Sequence, residues 1–327
     1  MTERPPLPSI ESLPTDLTES RRWVLWRFEP RGDKVTKVPV DAQGRRIDAT
    51  NPGSWLSLQE ALRIARAQNL GVGFCVGEGV VGIDLDHAVD PVSGDILPWA
   101  KPLLEAFRQA AYIELSPSGT GAHFLLRGAI ALPRNRYPLT NGMIEVYSHG
   151  RFLTITGRVL RGCTRMADAS AALAQLPQLI EVARIIAEVA ASHADLWAGA
   201  WESAYPSQSE ADLVLCRAIA RYTRDPRLID RVFRYSGLFR PKWDERRGAQ
   251  TYGELTIAKV LEKGPPARPA REGWALPREL PPAHSLPPMP PELVPAPLRD
   301  WLEDLAARRC VPLEMVAVPA VVVAGAA

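Results

Sequence analysis

Val80-Val81-Gly82-Ile83-Asp84-Leu85-Asp86 decides the reading of this chain. An apolar, β-branched run of this kind is a strand. Its period of two puts Asp84 and Asp86 on one face and turns Leu85 toward the core. Two neighbouring carboxylates raise each other's cost of ionising, and a divalent cation removes that conflict. Hard oxygen donors at this spacing suit Mg²⁺ or Mn²⁺. The plainer alternative is a strand-end turn in which the aspartates cap loop amides.

Outward from that strand, the pattern on both sides is mostly β. Arg22 to Phe28 and Lys34 to Val40 read as a hairpin, and Ser54 to Gln68 has helical spacing. Further strands are expected at 72–76, 112–115, 123–127, 143–147 and 152–156, with a helix near 97–110. Strands mixed with a few helices give an α+β catalytic domain over residues 19–166, after a proline-broken lead-in at 1–18. Residues 167–206 read as a helical connector in which Pro177 splits the helix or starts it, and 207–263 as a small helix bundle. Residues 264–297 hold twelve prolines in 34 positions and read as a linker. Helix resumes at 298–327, with Leu298, Trp301, Leu302 and Leu305 on one face, and is expected to begin a further domain of a longer protein.

Composition narrows the function classes. With 46% hydrophobic and 23% charged residues, 327 residues are ordinary globular usage. A net charge of +2 implies no nucleic-acid partner by itself. Cys75, Cys163, Cys216 and Cys310 stand far apart, so neither a zinc knuckle nor a disulfide framework can be drawn, which favours a reducing, cytoplasmic setting. The N-terminus lacks the apolar stretch of a signal peptide, and the apolar run from Val316 is too short to span a bilayer.

Three more stretches carry chemistry. Ser116-Pro-Ser-Gly-Thr-Gly-Ala-His123 sets glycines beside hydroxyls, as phosphate-binding nests do and as ordinary turns also do. No GK[ST] follows, so it is not a Walker A loop. Glu145, within Met143-Ile-Glu-Val-Tyr147, interrupts an apolar strand and needs either an arginine partner, such as Arg151, or a metal. Gly150-Arg-Phe-Leu-Thr-Ile-Thr-Gly157 places Arg151 where it can hold a triphosphate.

In this order, the DxD strand, the SGTGAH turn, the lone acidic strand and GRFLTITG resemble the archaeo-eukaryotic primase superfamily, specifically the primase–polymerases of phages and mobile elements. The resemblance covers roughly residues 23–157 and implies a catalytic core related to RNA-recognition modules. It implies a nucleotidyltransferase in DNA replication that uses Mg²⁺ or Mn²⁺. Asp84, Asp86 and Glu145 would be the catalytic metal ligands. Ser118, Gly119, Thr120, Gly121 and His123, assisted by Arg151, would hold the incoming dNTP or NTP. Residues 209–246 look like the helix bundle that follows such cores, in a family where a helicase domain often comes next.

Single-stranded DNA is the expected template. Lys34 and Lys37 are candidates to contact it or the nucleotide. In the bundle, twelve Lys/Arg stand against eight Asp/Glu between 210 and 263. Arg217, Arg221, Arg224, Arg227, Arg231 and Arg234 recur at spacings of three and four, with Pro226 interrupting the run. Arg217, Arg221 and Arg234, with Arg240 and Lys242, are expected to follow phosphates, while Trp243 stacks on bases. A solvated basic face over buried aromatics is the alternative. Two other functions compete with polymerase: a metal-dependent nuclease or nucleotide hydrolase, and a non-catalytic DNA-binding adaptor for a helicase.

Overall fold

The computed structural model describes residues 5–32, 34–262, 289–309 and 311–325, in two units, 1–268 and 269–327. The first unit opens with a short helix, α1 (Thr15–Thr18), and a long hairpin of β1 (Trp23–Arg31) and β2 (Lys34–Val40). Next comes α2 (Leu58–Gln68). Ser57 and Glu60 form a reciprocal capping box at its start, and Asn69 ends it in the left-handed region at φ 58°. β3 (Gly71–Cys75) and β4 (Val80–Asp86) follow, then α3 (Lys101–Phe107), β5 (Tyr112–Leu115) and β6 (Ala122–Arg127). β7 (Arg136–Leu139), β8 (Gly142–Tyr147), β9 (Phe152–Ile155) and β10 (Val159–Arg161) complete the β part. The helix expected over 97–110 is shorter, a 3-10 turn at Pro98–Ala100 leading into α3. The sequence reading did not anticipate β7 or β10.

The strands make two antiparallel sheets. One has the order β2-β1-β3-β9, the other β10-β5-β6-β4-β8-β7. β4 is thus central, paired with β6 on one side and β8 on the other. A core of Trp23, Leu25, Phe74, Tyr112, Leu125 and Ile155 joins the sheets, each buried side chain contributing roughly 1.5–3 kcal/mol. Gly82 lies at their closest approach. A Cβ there would sit 2.8 Å from both Leu153 Cδ1 and Val76 Cγ1.

The opposite face of the six-stranded sheet is covered by helices. After α4 (Ser170–Ala174), α5 (Leu176–Ser192) starts with Pro177 in its first turn, where the missing N–H costs nothing. α6 (Ala194–Trp197), α7 (Gln208–Ala220), α8 (Pro226–Phe233), the ribbon β11 (Arg246–Arg247) with β12 (Gln250–Thr251), and α9 (Tyr252–Glu262) complete this unit. One continuous core runs from Ile83 and Phe124 through Ile180 and Ile186 to Leu215, Phe233 and Trp243. The fold is therefore α+β, mixed sheets followed by helices.

In the second unit, α10 (Ala296–Arg309) and α11 (Glu314–Gly325) pack through Val294, Leu302 and Ala317. Trp301 is not part of the buried face expected for it, being 57% exposed. Residues 264–288 of the expected linker lie outside the described residues. No described helix is long and apolar enough to cross a membrane.

Candidate active site

The register of the six-stranded sheet brings the chemistry together. Glu114 on β5 lies opposite His123 on β6, and His123 opposite Asp84 on β4. Asp84 lies opposite Glu145 on β8, and Glu145 opposite Arg136 on β7. Directly paired residues share a face, so these five side chains form one row across five strands. Four of the five, all but the buried Glu114, line a cleft of about 540 Å³. Val35, Thr36 and Lys37 of β2 line its wall, as do Arg151 and Phe152 to Thr154 at β9. Asp86 stands two residues beyond Asp84 at the rim, where His87 ends the strand in the left-handed region at φ 55°.

Each member of the row has a distinct environment. Glu114 is fully buried. It accepts from the amides of Thr156 and Gly157 and from the Tyr112 hydroxyl. His123 is 1% exposed, with Nδ1 3.4 Å from Glu114 Oε1 and Nε2 3.6 Å from Asp84 Oδ1. Burial opposes its positive charge. The charge of Asp84, then the hydrogen bond and charge of Glu114, outweigh burial and raise its pKa overall. Glu145 accepts from the Tyr147 hydroxyl at 2.8 Å and forms ion pairs with Arg136, whose Nε lies 2.7 Å away, and with Arg151 Nη2 at 3.6 Å. Burial, with Glu145 beside it, pushes the Tyr147 hydroxyl up to about 12.

The aspartates differ from these paired groups. Asp84 Oδ1 is buried and has no hydrogen-bond partner. The carboxyl of Asp86 is raised by desolvation, then by the charges of Asp84 and Glu145, against Lys37 and His87. The ammonium of Lys37 is lowered by burial and by Arg151, while Asp84 and Asp86 pull it the other way. An orphaned carboxylate oxygen beside a second, strained carboxylate is a donor set that fits a hard divalent cation. Among the described residues, no three His, Cys, Asp or Glu groups converge to hold a metal ion as the side chains stand. The Glu145 oxygens are met instead by two arginines and a tyrosine.

The structure corrects several expectations. The SGTG turn is knotted on itself. Ser116 Oγ accepts from the Gly121 amide, Ser118 Oγ bonds Ser116 and Thr120, and the Gly119 amide bonds the Ser116 carbonyl. Ser118, Gly119, Thr120 and Gly121 do not line the cleft, and the amides of Gly119, Thr120 and Gly121 already have acceptors within the turn. The turn instead clamps the site strands together, since a Cβ on Gly121 would lie 2.7 Å from the Leu85 carbonyl oxygen. His123 lines the cleft with its ring nitrogens turned to Asp84 and Glu114, at 3.6 and 3.4 Å, and not to the open cleft.

The bundle is corrected too. Trp243 is 1% exposed, stacks on Phe233 at 3.7 Å and donates to Asp230, so it cannot stack on bases. Arg240 forms a two-bond pair with the fully buried Asp212. Arg234 is shared between Asp230 and Asp244, and Lys242 donates to Ser209 beneath the Tyr252 ring. These cations are engaged by partners within the bundle, Arg240 and Lys242 half-buried and Arg234 at the surface. Arg217 on α7 is half-buried and Arg221 at its end is exposed. Pro226, the first residue of α8, breaks the basic run there. The Lys34 side chain lies outside the described residues. Sequence reasoning missed Glu114 and Arg136.

Residues 208–265 match the family model of the NrS-1 polymerase HBD domain. The DNA primase–polymerase of Nitratiruptor phage NrS-1 is 29% identical over 277 residues, 78% of this chain and 37% of that protein. The chain therefore spans little more than a third of that relative's length. The crystal structure of primase RepB' overlaps 76% of this chain and 90% of its own, at 14% identity and a TM-score of 0.25, too slight a likeness to carry an argument. The chain resembles the phage primase–polymerase type.

Proposed function

We propose that this chain is a template-directed nucleotidyltransferase, a DNA primase–polymerase acting on single-stranded DNA with dNTP or NTP. The observation that carries this reading is the row Asp84–Glu145–Arg136 with Asp86 at its rim, set in one cleft with Lys37 and Arg151. Carboxylates beside cations suit a substrate that arrives as a cation-bound triphosphate. A second support is the likeness to the phage DNA primase–polymerase over 78% of the chain.

Asp84 and Asp86 would hold a divalent Mg²⁺ or Mn²⁺, with Glu145 joining them. When bound, such ions supply Lewis-acid activation of the attacking 3′-hydroxyl and charge compensation at the leaving pyrophosphate. Lys37, Arg136 and Arg151 would take the phosphates from the surrounding walls and hold them in line with the primer end. His123, buried between Glu114 and Asp84, would fix the Asp84 carboxylate from below and keep its orientation constant as substrates exchange. Arg221, exposed at the end of α7, remains a candidate template contact. A helicase following in a longer protein stays part of the proposal.

The test is a gel assay with the full chain, single-stranded DNA, labelled dNTPs or NTPs and Mg²⁺ or Mn²⁺, with and without a primer, beside Asp84→Asn. Metal-dependent product that falls below detection in a folded Asp84→Asn is the expected outcome. Equal product in that variant refutes the site. A shortened template would mark a nuclease, and DNA binding without product an adaptor.

A further inference from the structure

Of the expected metal triad, Glu145 is the carboxylate with arginines at both oxygens, whereas Asp84 meets only the His123 ring, at 3.6 Å. Its side chain is 6% exposed, whereas those of Arg136 and Arg151 are 66% and 51% exposed. The acid is thus sequestered and its arginine partners face the solvent-filled cleft. Oε1 is ion-paired with Arg136, whose Nε lies 2.7 Å away, and Oε2 accepts from the Tyr147 hydroxyl at 2.8 Å with Arg151 at 3.6 Å. A carboxylate whose charge is already matched by guanidinium on both oxygens is a poor cation ligand until one of them leaves. An exposed guanidinium exchanges a carboxylate readily for phosphate, whose oxygens match its fork and carry more charge.

We propose that Arg136 is a phosphate ligand for the incoming nucleotide, and that its transfer from Glu145 to phosphate releases Glu145 for the cation. This rests on the reading of the cleft as a nucleotidyltransferase site. In thermodynamic terms, Arg136 and the cation compete for one carboxylate, and Glu145 and the nucleotide compete for one guanidinium. Nucleotide and cation then each favour the other's binding without touching, and by linkage the coupling is reciprocal. The arrangement disfavours a fully assembled cation site when no nucleotide is present. Arg136 reaches this position because β7 pairs with β8 in a register that sets it directly opposite Glu145.

The experiment measures two affinities on the full chain. The first is Mn²⁺ binding without nucleotide, from the electron paramagnetic resonance of free Mn²⁺. The second is binding of a fluorescent dNTP in EDTA. Arg136→Gln is expected to bind Mn²⁺ tighter and the nucleotide weaker, each by about tenfold, within the usual range of coupling between two sites. A residue that only supports the fold would weaken both. The gain in Mn²⁺ affinity should vanish in a Glu145→Gln background, because the competition runs through that carboxylate. Persistence of the gain there would mean simple removal of positive charge and would overturn the proposal, as would an unchanged or weaker Mn²⁺ affinity in the single variant. Asp84→Asn distinguishes the deeper failure. If it binds Mn²⁺ as tightly as the wild type, the cleft is not the cation site and the underlying reading falls with the proposal.

Discussion

Replacing Arg240 by alanine should unfold the bundle, not release DNA. Asp212, on α7, is fully buried in a core that includes Leu215, Cys216 and Trp243. Arg240 reaches it with two hydrogen bonds, 2.9 and 2.8 Å, and the Tyr252 hydroxyl adds a third at 2.8 Å. The arginine is itself only 21% exposed. Removing it strands a carboxylate in an apolar interior with one neutral donor. Breaking a buried pair from one side costs about 3–5 kcal/mol. At about 2–4 °C per kcal/mol for a domain of 150–250 residues, the melting temperature should fall by roughly 6–20 °C.

The assay is thermal denaturation of the full chain followed by circular dichroism, paired with the salt dependence of single-stranded DNA binding. Asp212→Asn with Arg240→Gln should recover much of the loss, since no buried charge then remains. Arg221→Ala is the contrast. That side chain is exposed, so its removal should change stability by no more than about 0.5 kcal/mol. If Arg221 meets a phosphate of single-stranded DNA, the slope of log affinity against log salt should drop by about 0.7. An Arg240→Ala protein that melts within about 2 °C of the wild type would refute the buried-pair argument.

Two further outcomes follow from the site. The raised pKa of the His123 base means that its stabilising contribution is fully present below the unfolded value near 6.5 and is lost as pH rises through the folded value. In EDTA, the melting-temperature gap between wild type and His123→Gln should therefore be widest near pH ~6 and narrow at higher pH; a gap that widens with pH contradicts the assignment. Gly121→Ala should cost about 1–3 kcal/mol, because its Cβ would meet the Leu85 carbonyl oxygen at 2.7 Å and Ser116 Oγ at 2.9 Å. A melt indistinguishable from the wild type would show that the turn does not clamp β4.

The residues that declared themselves in the sequence are those whose neighbours along the chain define their environment. Asp84 and Asp86 stand out because an apolar strand has no other use for two charges on one face. Glu145 stands out for the same reason. Arg136 was hidden because Pro133 and Pro138 disguise β7, which tolerates a proline only as the outermost strand of its sheet. Glu114 was hidden within Tyr112–Leu115, a run that reads as core; only its register against His123 reveals it. In the bundle the failure went the other way. Arg234 ends a run with the spacing of a surface stripe, and helical periodicity reaches its partner Asp230, but Asp244 lies 10 residues away, and the partner of Arg240, Asp212, lies 28 residues away, beyond the reach of any periodicity.

Counting charges along the row explains where a cation belongs. Glu114 is matched by His123, and Glu145 by Arg136. Each match is made on one sheet by residues that register sets side by side. What remains is Asp84, which shares His123 with Glu114 at 3.6 Å and keeps one oxygen without a hydrogen bond, and Asp86, whose carboxyl is pushed toward its neutral form. Lys37 across the cleft is itself weakened as a cation by burial. The excess of negative charge is thus confined to one end of β4, at the open rim. A buried charge without a partner is among the most costly features a fold can keep, and unpaired ones cluster where they are used. The sheet has satisfied the outer acids of the row and left unsatisfied the pair that faces solvent. This is the arrangement expected if the missing positive charge comes with the substrate.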